Sequence, residues 1–180
     1  EDIHGYLDRT PAPWILKPRM QSASLGIKII RTREELWPAL DKLGDEMSFY
    51  LLEKYTPGEV FHVDSVVSER EVVFAASSRY GTPMLDLKST GGVFTTRLLP
   101  RGSEDDLALL EMNRRVVRSL GLVRGVTHIE YIKSHEDGTL YFLEAAARVA
   151  AARIPDVIWH ATGVCLWHEW ARIEGEANPA

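Results

Sequence analysis

Cysteine, long apolar runs and an excess of positive charge are all scarce in this sequence, and each shortage excludes a class of protein. The single Cys165 among 180 residues excludes an internal disulfide and favours a reducing compartment. No apolar run approaches the roughly 20 residues of a membrane-spanning helix, and no signal peptide is recognisable. With 21 Lys and Arg against 26 Asp and Glu, the net charge of −5 predicts no broad surface for nucleic acid or anionic membranes. We therefore expect a cytoplasmic protein that acts on small molecules.

The composition that remains is that of an ordinary globular protein, with 45% hydrophobic and 26% charged residues. Its most informative stretch is a pair of apolar segments that each carry a carboxylate, Glu130 and Glu144. Turn-forming residues at 134–138 separate them, so a β-hairpin can lay the two carboxylates side by side. Such a pair can hold Mg²⁺, which prefers oxygen ligands and shares them with substrate phosphates. The alternative is two strand-end carboxylates in water.

A second motif, near the start of the chain, suits phosphate binding. A short apolar strand ends at Lys17, and a loop of small residues, 21–26, leads to a second strand at 27–30. The backbone N–H groups of such a loop can surround phosphate oxygens, and lysines add positive charge. The alternative is an ordinary hairpin loop beside a solvated lysine. No Gly-Lys-Ser/Thr opens a helix here, which excludes the Walker pattern. The candidate phosphate ligands are Lys17, Ser22, Ser24, Gly26 and Lys28.

The rest of the first 57 residues predicts one helix and one strand. Thr32 followed by Glu35 matches a capping box, so a helix is expected to about Leu43, with a kink at Pro38. An apolar strand is expected over residues 48–55. Residues 1–12 are polar and are expected to be a linker or an N-terminal remnant.

Beyond Gly58 the pattern predicts a larger antiparallel sheet with helices. Alternation over residues 60–65 predicts a half-buried strand. Residues 81–102 have little periodicity and are expected to form a long functional loop. Ser103 and Gly121 are expected to cap a helix, and two more helices follow the hairpin. In the last helix a stripe spaced by three is expected to face the core: Trp167, Trp170 and Ile173.

The order of these motifs resembles that of the ATP-grasp superfamily. A Lys-Pro strand, a Ser/Gly loop, a Glu53-Lys-Tyr segment, the first Glu and then Glu144-x-x-x-Arg148 follow one another over residues 13–174. The chain is most like bacterial L-amino-acid (dipeptide) ligases, which share Thr-His-x-Glu and Glu-x-Ala-Ala-Arg. The resemblance implies an α+β fold of two lobes whose mainly antiparallel sheets clasp the nucleotide.

The resemblance also implies a division of the chain. The small lobe with the phosphate loop is expected at residues 13–57, the large lobe with the metal site at 58–175, and a tail at 176–180. Complete ATP-grasp enzymes usually carry a further N-terminal α/β domain, which is expected to be missing from this chain.

Roles for individual residues follow from the same resemblance. Lys17 and the small-residue loop would hold the phosphates of ATP, and Glu130 and Glu144 would bind Mg²⁺ or Mn²⁺. Arg148 would neutralise the transferring phosphoryl group, and His128 would line the site beside the metal. The adenine and ribose are expected to meet the segment after the third strand: Glu53, Lys54, Tyr55, Thr56 and Glu59.

Two further expectations concern the metal and the substrate. Many relatives have an Asn metal ligand where this chain has Ala146, a departure that the amino-acid ligases share. Small residues after Arg148, and arginines that complement a substrate carboxylate, are expected to line the substrate pocket: Arg97, Ala152 and Arg153.

The implied function is that of a ligase dependent on ATP and Mg²⁺. It would join a carboxylate to an amine or thiol through an acyl-phosphate, with an amino acid or small peptide as substrate. One alternative is a domain like those of biotin carboxylase and carbamoyl-phosphate synthase, which use bicarbonate. The other is a nucleotide-binding module without turnover.

Overall fold

The computed structural model describes residues 2–21, 24–83, 85 and 92–177. They form two compact units, one from the residues up to Pro57 together with Leu85, and one from Gly58–Pro83 and the residues from Gly92 onward. Both are α+β with antiparallel sheets, which confirms the predicted fold class. In the described part of the chain, no helix is long and apolar enough to cross a membrane.

The first unit is a three-stranded antiparallel sheet with helices. Its sheet has the order β2-β1-β3, and its core contains Trp14, Leu16 and Leu36. Its elements are α1 (Ile3–Arg9), β1 (Trp14–Pro18), β2 (Lys28–Ile30), α2 (Arg33–Asp41), a 3₁₀ helix (Gly44–Phe49) and β3 (Tyr50–Lys54).

Residues 1–12, expected to be a linker or an N-terminal remnant, contain the helix α1. Asp2 caps this helix by accepting hydrogen bonds from the backbone N–H groups of His4 and Gly5. Leu7 is buried in the core of the first unit. The capping box that begins α2 was predicted correctly, since the Thr32 side chain accepts from the N–H of Glu35.

The second unit is built on a five-stranded antiparallel sheet with the order β6-β5-β4-β7-β8. Helix α3 covers one face, and α4 and α5 cover the other. Its elements are β4 (Gly58–Ser68), β5 (Glu71–Tyr80), β6 (Thr96–Leu98), α3 (Glu104–Leu120), β7 (Gly125–Ser134), β8 (Leu140–Ala146), α4 (Ile154–Thr162) and α5 (Leu166–Ala177). The predicted caps of α3 are present, with Ser103 at its start and a left-handed Gly121 at its end.

Three predictions for this unit need correction. Strand β4 is buried on both faces rather than half-buried, because helices cover both sides of the sheet. The stretch 81–102 is not all loop, since β6 pairs there with β5. In α5, Ile173 is buried and Trp170 packs on the core, but Trp167 is 58% exposed, so the stripe faces the core only in part.

Candidate functional site

The hairpin of β7 and β8 places Glu130 directly opposite Glu144. Residues directly opposed in an antiparallel pair project from the same face of the sheet. Ala146 lies on that face too, opposite His128, and it offers no oxygen ligand. A register shift follows Glu130, where β8 has one extra residue. The geometry therefore brings the two predicted metal ligands together and leaves the Asn position of many relatives apolar.

Arg148 follows two residues after the end of β8. Its side chain is exposed, and one guanidinium nitrogen donates to the carbonyl of Val149 at 3.1 Å. This position, four residues beyond Glu144, leaves a fixed positive charge near the end of the strand that carries the carboxylate.

A buried polar cluster lies under Glu130 on the same face of the sheet. The Tyr80 hydroxyl donates to Oε1 of Glu130 at 2.6 Å, and His128 Nε2 lies 3.4 Å from the same oxygen. His128 Nδ1 is 2.9 Å from Oδ1 of Asp64, whose Oδ2 is 2.7 Å from Nδ1 of His62. The predicted site residue His128 is thus a buried neighbour of Glu130, and its other ring nitrogen is hydrogen-bonded to Asp64.

Hydrogen bonds in this cluster shift the pKa values of its members. Burial opposes ionisation of Glu130, but donation from His128 and Tyr80 outweighs it and lowers the pKa of the carboxyl. Asp64 is likewise buried, and its two histidine partners lower its pKa. Burial opposes the charge on His128, but Asp64 and Glu130 raise its pKa to about 9. Burial, followed by the Glu130 charge, raises the pKa of Tyr80. Glu130 is therefore held ionised, as a metal ligand must be.

Sequence reasoning missed three members of this cluster, His62, Asp64 and Tyr80. His62 and Asp64 alternate with apolar residues on β4, and that alternation was interpreted only as a half-buried strand. Pairing β4 with β7 could have identified His62 and Asp64, because it places them beside residues that were already candidates. Glu130 and His128 on β7 pair with His62 and Asp64 on β4.

In the first unit, Lys17 meets Glu53 on one face of the small sheet. Lys17 Nζ lies 2.8 Å from Oε2 of Glu53, and the lysine is only 8% exposed. Because β1 and β3 are antiparallel neighbours, these two predicted ATP ligands share a face. Lys28 pairs with Leu16 and shares its face of the sheet. Leu16 and Lys17 are successive residues of β1, so their side chains point to opposite faces. Lys28 therefore lies on the face opposite Lys17, and the structure does not bring the two lysines together as predicted.

Residues 24–26 of the predicted phosphate loop form a turn. Ser24 and Gly26 both have left-handed φ values, +54° and +72°. A Cβ on Gly26 would lie 2.9 Å from Cγ of Pro18, so a side chain has no room there. Ser22 lies outside the described residues.

The predicted adenine segment continues from β3. Lys54 is the last residue of the strand and pairs with Trp14. Tyr55 donates its backbone N–H to the carbonyl of Pro13 at 3.0 Å, and Thr56 follows outside any strand. These residues lie close together along one edge of the first unit, as their sequence order requires.

Two predicted site residues, Glu59 and Arg97, lie on the face of the large sheet opposite Glu130. Glu59 alternates with Val60 and His62 on β4, so it faces away from the buried cluster, and its carboxylate is 2.6 Å from Arg79. Arg97 pairs with Arg79 and shares that face. The structure does not bring Arg97, which was predicted to meet the substrate, to Glu130, and it pairs Glu59 with a cation.

The other predicted substrate residues follow β8. Arg153 is exposed and pairs with Asp156, one turn into α4, at 2.8 Å. Ala152 is exposed and has a left-handed φ of +56°. A left-handed alanine costs about 1–2 kcal/mol, so this position is constrained by its backbone.

A family model that describes an ATP-grasp domain matches residues 10–156. The chain belongs to the ATP-grasp domain family. An L-arginine-specific L-amino acid ligase from Bacillus subtilis is 26% identical over 185 residues, which cover 99% of this chain and 44% of the relative. The ATP-grasp chain therefore spans less than half the length of this curated relative.

Solved structures share the fold of this ATP-grasp chain. An L-amino acid ligase from Bacillus licheniformis has a TM-score of 0.67 and 21% identity, covering 90% of this chain and 38% of that one. A D-alanine–D-alanine ligase from Bacillus anthracis has a TM-score of 0.69 and 18% identity, covering 99% of this chain and 61% of that one. The relatives most similar to the chain thus include amino-acid ligases, as the sequence motifs indicated.

Proposed function

We propose that this chain is the ATP-binding and catalytic domain of a carboxylate–amine ligase that depends on Mg²⁺. The observation that carries the proposal is the Glu130–Glu144 pair on one face of the hairpin, followed by Arg148. The ionised state of Glu130 and the oxygen-only donor set fit Mg²⁺. When bound, Mg²⁺ would neutralise charge on the phosphates of ATP and help to orient them.

The proposed reaction has two steps. A substrate carboxylate oxygen attacks the γ-phosphorus of ATP, the bond to the β-phosphate oxygen breaks, and ADP leaves. The nitrogen of an amine then attacks the acyl carbon, phosphate leaves with the electrons of the C–O bond, and the nitrogen loses a proton. Arg148 would stabilise the negative charge of the transferring phosphoryl group, and Lys17 would bind an ATP phosphate.

The substrate class rests on the amino-acid ligases among the relatives. An amino acid or small peptide is proposed as the acid, with an amino acid as the amine. The two motifs that this chain shares with those enzymes, Thr-His-x-Glu and Glu-x-Ala-Ala-Arg, both lie in the hairpin region beside the proposed metal ligands.

Nucleotide binding is tested with a pair of lysine variants. Mg·ATP at about 100 times its Kd should stabilise the protein by about 2.7 kcal/mol, measured as a rise in Tm. Lys17→Ala should weaken ATP binding about ten-fold or more, because a charged hydrogen bond contributes about 1.5–3 kcal/mol. Lys28→Ala, on the opposite face, should change it less than two-fold. Absence of any stabilisation by Mg·ATP, or an equal effect of the two variants, would contradict the assignment.

Catalysis is tested by ATP-dependent phosphate release with a mixture of amino acids. Glu144→Gln removes one negative charge with little change in shape and should abolish release while Tm stays within a few degrees. The control is Glu71→Gln, since Glu71 is an exposed carboxylate at the first residue of β5. Nucleotide binding without any release by the unmodified protein would favour the non-catalytic module.

A further inference from the structure

The cluster behind Glu130 contains more buried polar groups than metal binding alone requires. His62 and Asp64 are fully buried, on a face whose other residues, such as Val60 and Val66, belong to an apolar core. Burying such groups costs free energy unless each is hydrogen-bonded. A continuous chain of hydrogen bonds offsets the free-energy cost of burying these groups.

The chain of hydrogen bonds connects β6 to Glu130 through Asp64, which accepts from both histidines. Thr96 Oγ1 lies 2.7 Å from Nε2 of His62, and Nδ1 of that ring lies 2.7 Å from Asp64. Asp64 uses its second oxygen for Nδ1 of His128. Because the carboxylate can only accept, both histidines carry a proton on Nδ1, and the orientation of each ring is determined.

The far end of the chain holds a single oxygen of Glu130. The Tyr80 hydroxyl, 2.6 Å away, and His128 Nε2, 3.4 Å away, both approach Oε1. The Tyr80 hydroxyl is also 3.3 Å from His128 Nε2, so the two groups brace one another. With Oε1 held from two sides, the plane of the carboxylate is set, and with it the direction of Oε2.

We propose that Tyr80 and Asp64 are positioning residues that orient the carboxylate of Glu130 for a divalent cation, Asp64 acting through His128. The proposal rests on the function proposed above, since it assumes that Glu130 binds the metal of Mg·ATP. Hydrogen-bonded partners behind a metal ligand fix its orientation, and their loss typically weakens metal affinity about 10- to 100-fold.

The chain offers a matched control for Tyr80. Tyr131 is a fully buried tyrosine one residue beyond Glu130, and its hydroxyl donates to Asn113 at 3.0 Å. It packs in the core against α3, on the other face of the sheet. Tyr131→Phe and Tyr80→Phe each remove one buried hydroxyl, but the Tyr131 hydroxyl donates to Asn113, whereas the Tyr80 hydroxyl donates to the Glu130 carboxylate.

The experiment is calorimetric titration of Mn²⁺ into the protein saturated with a non-hydrolysable ATP analogue, with Tm measured for each variant. Tyr80→Phe should weaken Mn²⁺ binding about ten-fold, whereas Tyr131→Phe should change it less than two-fold at a comparable loss of Tm. Asp64→Asn, which keeps the volume and removes the charge, should also weaken Mn²⁺ binding. If Tyr80→Phe does not fold, the Asp64→Asn variant tests the proposal in its place.

The outcomes separate this inference from the proposed function. If the unmodified protein binds Mn²⁺ with the nucleotide and the Tyr80→Phe and Asp64→Asn variants bind it equally well, the positioning role is overturned and the proposed function stands. Equal weakening by Tyr131→Phe would also overturn it, because the effect would then reflect loss of packing. If the unmodified protein binds no Mn²⁺ with the nucleotide, the metal site fails, and the positioning role fails with it.

Discussion

At the scale of single residues, the backbone conformation limits which side chains a position tolerates. Gly26 and Ala152 both adopt left-handed φ values, but only Gly26 does so without strain. The predicted pocket residue Ala152 is thus also a strained one. A bulky replacement such as Ala152→Trp would test backbone tolerance together with pocket size, so it separates the two poorly.

Gly26 and Gly5 provide a matched pair of glycine-to-alanine changes in the first unit. Gly26→Ala should destabilise the protein by about 1–2 kcal/mol, because of its positive φ, and the added Cβ meets Pro18 at 2.9 Å. Gly5→Ala lies inside α1, and its Cβ would come no closer than 3.4 Å to the guanidinium group of Arg9. It should stabilise the protein by up to about 1 kcal/mol, because alanine favours helix. Urea denaturation measures both, and a reversed order would contradict the loop conformation.

At the scale of elements, helix α2 contains a proline that destabilises it. Pro38 is the sixth residue of the helix, beyond the first turn where proline is tolerated, and it is exposed. Proline there cannot donate to the carbonyl one turn earlier and crowds it. The buried residues of α2, Leu36 and Leu40, flank Pro38, so packing holds the helix together despite it.

Replacing Pro38 by alanine should therefore raise the free energy of unfolding. Proline costs about 3 kcal/mol in a helix interior, and part of the gain is offset by the greater freedom of the unfolded chain. We expect a net gain of about 1–2 kcal/mol, measured by urea denaturation. Ala39→Gly, at the next position, should lower it by about 1 kcal/mol. A loss of stability in Pro38→Ala would mean that the proline itself is needed for packing.

At the scale of the whole molecule, the two units have separate cores. Leu36 is fully buried in the core of the first unit, and Leu109 is fully buried in the α3 core of the second. Since each leucine packs only within its own cluster, its loss should first loosen the unit that contains it.

Leucine-to-alanine changes at these two positions test that expectation. Each should cost about 2–5 kcal/mol. In hydrogen exchange followed by mass spectrometry, Leu36→Ala should speed exchange in β1 and β3 and leave β4 and β7 unchanged, and Leu109→Ala should do the reverse. If either variant speeds exchange equally in all four strands, the chain opens as one cooperative unit.

The sequence by itself determined features that depend on neighbouring residues, such as helix ends and the hairpin, and the family, which follows from the order of the motifs. Ser103 and Gly121 bound α3 because capping depends on neighbouring residues. The pairing of Glu130 with Glu144 follows from one short turn between two strands, and the order of motifs sufficed to identify the family.

Only the tertiary structure decided which face each strand presents and what covers it. Glu59 and Arg97 face away from the carboxylate pair because the register of β4, β5 and β6 joins residues far apart in sequence. The alternation that contains His62 and Asp64 predicted a half-buried strand, but α4 and α5, almost 100 residues later in the chain, cover the face on which these residues lie. A local pattern specifies alternation, but burial depends on the elements that pack above and below, and these are set by long-range contacts.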